Sequence, residues 1–378
     1  MNNIFEALIS QLEGKKDELK HKSAAVGFDG FIDKVVRVVK ENKNDRYLFF
    51  PTIESFGRYI LGKKNVNCSI EIVESMTKLG GNMPILANAL GNIGVDVKCI
   101  GTLGYPTIDP IFKDMENNCE LYSIGQPGYS IALEFDDGKV MLGERSVLDT
   151  VSWDNIKAYI DIDRLKSFFA GSNLSAMVNW GELKHASSIW KGVLDEIISI
   201  NMPDKHRLFF FDLADFSERP GNEVEYILEL IGQFCNYRKT ILSLNTNEAL
   251  ILSKLFDMGV DTNDLEKLAV GLYDKVKVDV LTIHNPGYSI AIDQGGVACI
   301  ESAFTGEPKL LTGGGDNYGA GFCIGQLLGM DLACSTLLGN AVAGFYVRYG
   351  HSPSVEDALN FLCQWENEFD RNDYRRSI

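Results

Sequence analysis

The stretch of this 378-residue chain best equipped for chemistry is Thr312-Gly313-Gly314-Gly315-Asp316. Three glycines run into a carboxylate. An almost wholly apolar helical pattern follows through Phe322, Cys323, Ile324, Leu327 and Leu328, with small Gly319, Ala320 and Gly321 on its first turns. Glycine lets the backbone turn tightly and approach a ligand closely. A helix N-terminus presents unpaired N–H groups and a partial positive charge, which attract phosphate. A carboxylate beside such an anion hole can take the proton of a hydroxyl that attacks phosphorus, so the stretch reads as a phosphoryl-transfer centre. The plainer reading is a glycine turn and a cap before a buried helix. Two other phosphate motifs fit worse. A P-loop needs Lys and then Ser or Thr after its last glycine, but Gly319 and Gly321 precede Ala320 and Phe322. A dinucleotide fingerprint follows a strand, but Thr305-Gly306-Glu307-Pro308-Lys309 is a loop.

Other carboxylates and amides stand where strands should end. Ala24-Ala25-Val26-Gly27 reads as a short strand followed by Asp29 and Asp33, and Leu208-Phe209-Phe210-Phe211 ends at Asp212. A carboxylate at the C-terminal end of a parallel strand can accept hydrogen bonds from a ligand's hydroxyls; Asp29 and Asp33 also fit turn or solvated positions. Gly80-Gly81-Asn82 opens a helix that closes at Gly94. The strand Thr240–Leu244 runs into Asn245-Thr246-Asn247-Glu248, whose Asn-x-x-Glu spacing suits a helix cap or an oxygen-ligand magnesium site.

These residues need a framework. Helical spacing covers residues 3–20, and strand and helix alternate from 155 to 240, with further strands at 240–244 and within 278–291, which predicts a mostly parallel sheet between helices. Residues 34–39 and 70–74, with a hairpin at 129–145 turning on Asp137-Gly138, predict a small separate sheet. Residues 41–67 read as a surface insertion and the polar 371–378 as a loose tail. At 45% hydrophobic and 23% charged residues, the composition is that of a soluble globular protein. A net charge of −16 argues against a general nucleic-acid or anionic-membrane binder. Eight scattered cysteines form no C-x-x-C pair, which argues against zinc and suits a reducing cytoplasm. No signal peptide or membrane-spanning run is evident.

Taken in order, the strand with Asp33, Gly80-Gly81-Asn82, the hairpin, Asn245-x-x-Glu248, Thr282-x-x-x-x-Gly287 and Gly313-Gly314-Gly315-Asp316 resemble the ribokinase-like (PfkB) carbohydrate kinases. The resemblance implies a three-layer α/β/α domain over residues 1–378 with a β lid formed by about 33–40, 68–79 and 129–147. It implies ATP- and Mg²⁺-dependent transfer to a hydroxyl of a sugar, with a nucleoside kinase or a silent sugar-binding homologue as alternatives. In that reading Asp316 is the base, kept ionised by its helix N-terminus, and the N–H groups of Gly313, Gly314 and Gly315 hold the phosphoryl. Asp29, Asp33, Gly80, Gly81 and Asn82 hold the acceptor. Asn245, Thr282, His284, Gly287 and Asn340 bind nucleotide, and Glu248 with Asn245 manages the metal. Arg145, at the end of the hairpin, returns to an anion or forms a surface ion pair. A homodimer through the lid would cover the apolar face of Ile131, Leu133, Phe135, Val140 and Leu142. The chain departs from the family pattern at Leu310 and Leu311, where Asp-Thr is usual, and at His284, where glycine is usual; the first departure argues against a monovalent-cation site.

Overall fold

The computed structural model describes residues 2–43, 46–115, 119–259 and 264–376. Its strands, in chain order, are β1 (Ser23–Gly27), β2 (Phe31–Lys43), β3 (Arg46–Phe49), β4 (Ile72–Gly80), β5 (Asp96–Gly101), β6 (Cys119–Ser123), β7 (Gly128–Phe135), β8 (Gly138–Glu144), β9 (Leu174–Met177), β10 (Leu208–Asp212), β11 (Lys239–Asn245), β12 (Val280–His284), β13 (Tyr288–Asp293) and β14 (Gly296–Glu301).

Nine strands form one sheet in the order β14-β13-β12-β11-β10-β9-β1-β5-β6. From β12 to β6 all neighbours run parallel; β13 and β14 return antiparallel at one edge. Strands such as Leu208–Asp212 carry no polar alternation because helices cover both faces. One layer holds the helices Asn2–Lys15, Asn82–Ile93, Gly314–Leu327 and Leu332–Tyr349; the other holds Ile162–Phe169, Ala186–Val193, Gly221–Phe234 and Leu265–Tyr273. This is the three-layer α/β/α arrangement expected from the sequence.

The smaller sheet is centred on β2. It pairs antiparallel with β4 and parallel with β7, β8 returns along β7, and β3 pairs with the outer end of β2. The register sets Asp33 between Lys78 of β4 and Ser130 of β7. This sheet differs from expectation in its bounds, since β2 extends to Lys43 and β4 starts only at Ile72. It also differs in its cover. Leu133, Phe135 and Val140 pack with Val36, Val38 and Phe50 under Phe56 and Tyr59 of the Ile53–Leu61 helix. The Phe56 and Phe135 rings stack at 5.6 Å. Residues 46–61, read as an insertion without a task, thus bury much of the face assigned to a partner subunit.

The final helix, Val355–Arg376, takes in most of the stretch expected to be a loose tail. All eight cysteines are free thiols, and among the described residues no helix is long and apolar enough to cross a membrane.

Candidate active site

Parallel sheets place ligands at the carboxyl ends of their strands. Here those ends deliver Asp29 after β1, Asn179 after β9, Asp212 on β10, Asn245 on β11 and His284 on β12. Asn245 and His284 are register partners on adjacent strands, so they stand side by side.

The glycine stretch closes over this edge. Gly313 takes φ +99°, a left-handed conformation suited to glycine, and turns the chain into the Gly314–Leu327 helix. Asp316 lies in its first turn. Tyr346 OH donates to the Thr312 carbonyl (2.9 Å) and Asn317 Nδ2 to the Gly313 carbonyl (2.9 Å), fixing the turn from two sides. A second helix N-terminus faces it. Asn82, at the start of the Asn82–Ile93 helix, donates its amide to Asp316 Oδ1 at 3.0 Å. That second N-terminus is held by Asp29, whose carboxylate accepts from Asn82 N (2.9 Å), Met83 N (2.8 Å) and Asn179 Nδ2 (2.8 Å).

A cavity of about 410 Å³ opens between the two sheets. Its walls include Asp33, Ser130 and Arg145 from the lid side and Gly81, Asn82, Glu182, Asp212, Asp215, Glu248 and Asp316 from the main domain. Ser130 Oγ donates to Asp33 Oδ1 at 2.6 Å, and Lys78 Nζ stands 4.0 Å from the same carboxylate. Arg145 pairs with Glu182 across the cavity at 3.3 Å, so the expected ion pair forms at the site itself.

Burial controls the charges. Asp316 is raised far above the ordinary carboxylate range, first by burial and then by the charges of Asp212 and Asp29, against the Asn82 amide and Lys78. Burial and like charges thus oppose the helix end, which favours an ionised Asp316. Burial pushes Asp212 up to about 6, and burial with the charges of Asp212, Asp215 and Asp316 raises Glu248 strongly.

A second cavity of about 420 Å³ adjoins the first and shares Asn245, His284 and Gly315 with it. Its remaining walls include Phe304, Leu311, Gly314, Tyr318, Asn340, Ala343 and Val347. Asn340 lies in its wall with its side chain already engaged by Ser289 Oγ (2.6 Å) and the carbonyls of Ile300 and Glu301. Burial lowers His284 to about 4, so its ring is neutral.

Asn245 and Glu248 form a reciprocal capping box at the start of the Thr246–Leu255 helix. Glu248 nevertheless faces the cavity beside three other carboxylates, a wall short of positive charge that suits a divalent cation bridging to phosphate. Among the described residues no three Asp, Glu, His or Cys side chains are spaced to hold a metal unaided. A magnesium ion that keeps waters and phosphate oxygens does not need them.

Four expected site residues lie outside both cavity walls. Asp29 is fully buried and spends both oxygens on the helix end, so it positions Asn82 rather than touching an acceptor. Gly80 lies behind Asp33: a Cβ there would meet the carboxylate at 2.3 Å, so its role is to leave room. Strand alternation sends Thr282 inward, where Oγ1 bonds Tyr318 OH and the Ile290 carbonyl. Gly287 N donates to Asn285 Oδ1 in the adjoining turn. Conversely, sequence reasoning missed Lys78, Ser130, Asn179 and Glu182. No sequence pattern pairs Ser130 and Lys78 with Asp33; the β2 register does. Asn179 takes φ +58°, which no spacing pattern reveals.

Two joined cavities under a β lid, with a glycine helix and a carboxylate at their junction, define a ribokinase-like carbohydrate kinase. Similarity to known proteins narrows the class. The prokaryotic ketohexokinase family model matches residues 6–365, and the chain belongs to that family. A ketohexokinase from Haloferax volcanii is 29% identical over 353 residues, covering 91% of this chain and 92% of the relative. The Methanocaldococcus jannaschii nucleoside kinase, an archaeal member of the ribokinase family, superposes with a TM-score of 0.61 at 18% identity over 91% of this chain and 98% of its own. An E. coli chain described as ribokinase II, in complex with ATP and Mg²⁺, gives 0.62 at 13% identity over 91% and 99%. At such identities the solved structures speak for the fold.

Proposed function

We propose that this protein transfers the terminal phosphoryl of Mg²⁺-bound ATP to a hydroxyl of a ketohexose. The observation that carries the reading is the position of Asp316. Its carboxylate lies in the wall of the acid-lined cavity, one residue from Gly315, which both cavities share. In this reading the acceptor lies between Asp33, Asn82 and Asp316, the triphosphate enters past Gly314 and Gly315, and the base pairs with the apolar walls Phe304, Leu311, Ala343 and Val347. Asp316 takes the attacking hydroxyl's proton, and a raised pKa makes it a stronger base. The N–H groups of the first helical turn hold the phosphoryl oxygens. Glu248 and Asn245, with Asp212, would hold Mg²⁺ through water, and the ion would neutralise phosphate charge.

The choice of a ketohexose is supported by the family and by the Haloferax relative. A nucleoside acceptor is less well served, since among the described residues Phe31 is the one Phe, Tyr or Trp in the walls of the acceptor cavity. ADP formation measured against ketohexoses, aldohexoses and nucleosides tests the assignment. A ketohexose should give the highest kcat/KM; preference for a nucleoside, or no ADP with any sugar, refutes it. The lid reading also extends to a homodimer. Tyr129 and Leu142 lie on the face that the Ile53–Leu61 helix covers only in part, and they are 47% and 52% exposed. Sedimentation at micromolar concentration should show a dimer, and a monomer alone excludes it. Free thiols throughout support a cytoplasmic setting.

A further inference from the structure

The family resemblance leads to glycine at the end of β12, but this chain carries His284 there, and its ring lines both cavities. The ring is held in one plane by stacking on Tyr318, with centroids 4.9 Å apart and planes 28° apart. Tyr318 is itself buried and tied to Thr282 by a 2.5 Å hydrogen bond. Nε2 is the ring atom nearest the glycine helix. A Cβ built on Gly315 would lie 2.8 Å from Nε2, against 3.5 Å from Cε1 and 3.9 Å from Cδ2.

The opposite nitrogen decides the tautomer. Nδ1 is buried with no hydrogen-bond partner. A buried N–H without an acceptor costs more than a buried lone pair without a donor, because orphaned donors are the rarer and less tolerated case. The single proton of the neutral ring therefore sits on Nε2, which faces the junction of the two cavities.

We propose that His284 is a catalytic residue that donates an Nε2–H hydrogen bond to an oxygen of the phosphoryl group in transit, completing the cradle formed by the first turn of the glycine helix. This rests on the kinase reading above. The donor is preorganised by the Tyr318 stack and strengthens as negative charge gathers on the phosphoryl oxygens, so its contribution falls on turnover rather than on acceptor binding.

Three variants test it. A glutamine amide can reach the place of Nε2, an asparagine amide reaches only the place of Nδ1, and alanine supplies neither. His284→Ala and His284→Asn should lose roughly 10- to 100-fold in kcat, the usual effect of deleting a hydrogen bond to a charged group. Acceptor KM should stay within about twofold, and His284→Gln should recover most of the loss. The alanine variant should also lose more affinity for a non-hydrolysable ATP analogue than for ADP. ¹⁵N NMR of the unliganded protein should show the Nε2–H tautomer. A role in packing alone predicts equal effects of Asn and Gln and no triphosphate preference. Alanine turnover within twofold of an active wild type, or an Nδ1–H tautomer, overturns this inference and leaves the kinase reading standing. A wild type that forms no ADP with any sugar overturns both.

Discussion

The two cavities meet at Gly315, Asn245 and His284 but are built from opposite materials. The acceptor cavity presents ionisable groups, Asp33, Asp212, Asp215, Glu248 and Asp316, supplied by a strand of each sheet, a loop and two helices. The nucleotide cavity presents small and apolar side chains with neutral amides, supplied by one edge of the main sheet, three helices and the segment 302–311. Many hydroxyls are best recognised by carboxylates that accept several hydrogen bonds each. A purine ring offers mostly area, and its phosphates bring their own charge to a helix N-terminus. The difference has a thermodynamic consequence. The acceptor side holds Asp212, Glu248 and Asp316 at raised pKa, so it is destabilised when empty near neutral pH, whereas the nucleotide side carries no such penalty.

The sharpest test of this contrast is the residue at the junction. Asp316→Asn keeps shape and the first-turn position but cannot accept a proton, so kcat should fall by about 10²- to 10⁴-fold. Affinity for each substrate should change far less, and the melting temperature should hold or rise because a buried carboxyl with a raised pKa is gone. Turnover within a few-fold of wild type would reduce Asp316 to a cap.

A pair of variants should separate the cavities. Asp33→Asn, which weakens a carboxylate bonded to Ser130, should reduce acceptor affinity by roughly 10- to 100-fold and leave nucleotide affinity unchanged. Ala343→Phe, which places a ring in the nucleotide cavity, should do the reverse. Calorimetric titration of both ligands into both variants checks this. If either variant weakens both ligands equally, the two cavities do not act as separate subsites.

Glu248→Gln should have a smaller effect, because the amide keeps part of the capping box with Asn245. The Mg²⁺ concentration for half-activation should rise several-fold. An unchanged Mg²⁺ titration would leave Glu248 a helix cap only.

The smallest effect concerns stability. Asp212 titrates at about 6 in the folded protein against an ordinary 3.8. The folded state therefore binds this proton more tightly than the unfolded one. The stability it confers is full below 3.8 and is lost as pH rises through about 6. The rise from 3.8 to about 6 corresponds to on the order of 2–3 kcal/mol. The unliganded Asp212→Asn variant should melt a few degrees above wild type near neutral pH and match it in mild acid. A constant difference across that range would mean that Asp212 is not held protonated by burial.

Much of this protein was written along the chain. The buried strands, the glycine turn before Asp316, the Asn245-x-x-Glu248 cap and the Gly-Gly-Asn helix start depend on neighbours within a few residues, where periodicity, φ preference and capping act. Those local rules were enough to predict a mostly parallel sheet between helices, and the order of the motifs along the chain carried the resemblance that implied a three-layer α/β/α kinase fold. The tertiary structure decided which side chains face a ligand. Asp29 and Asp33 are four residues apart and look alike in sequence. One is buried against a helix end and the other opens on the cavity, because the chain leaves the main sheet between them to enter the lid. Asn82 meets Asp316 across 234 residues, and Ser130 meets Asp33 across 97. Register and helix packing fix such meetings, as they do the burial that raises Asp316 and leaves His284 Nδ1 without a partner.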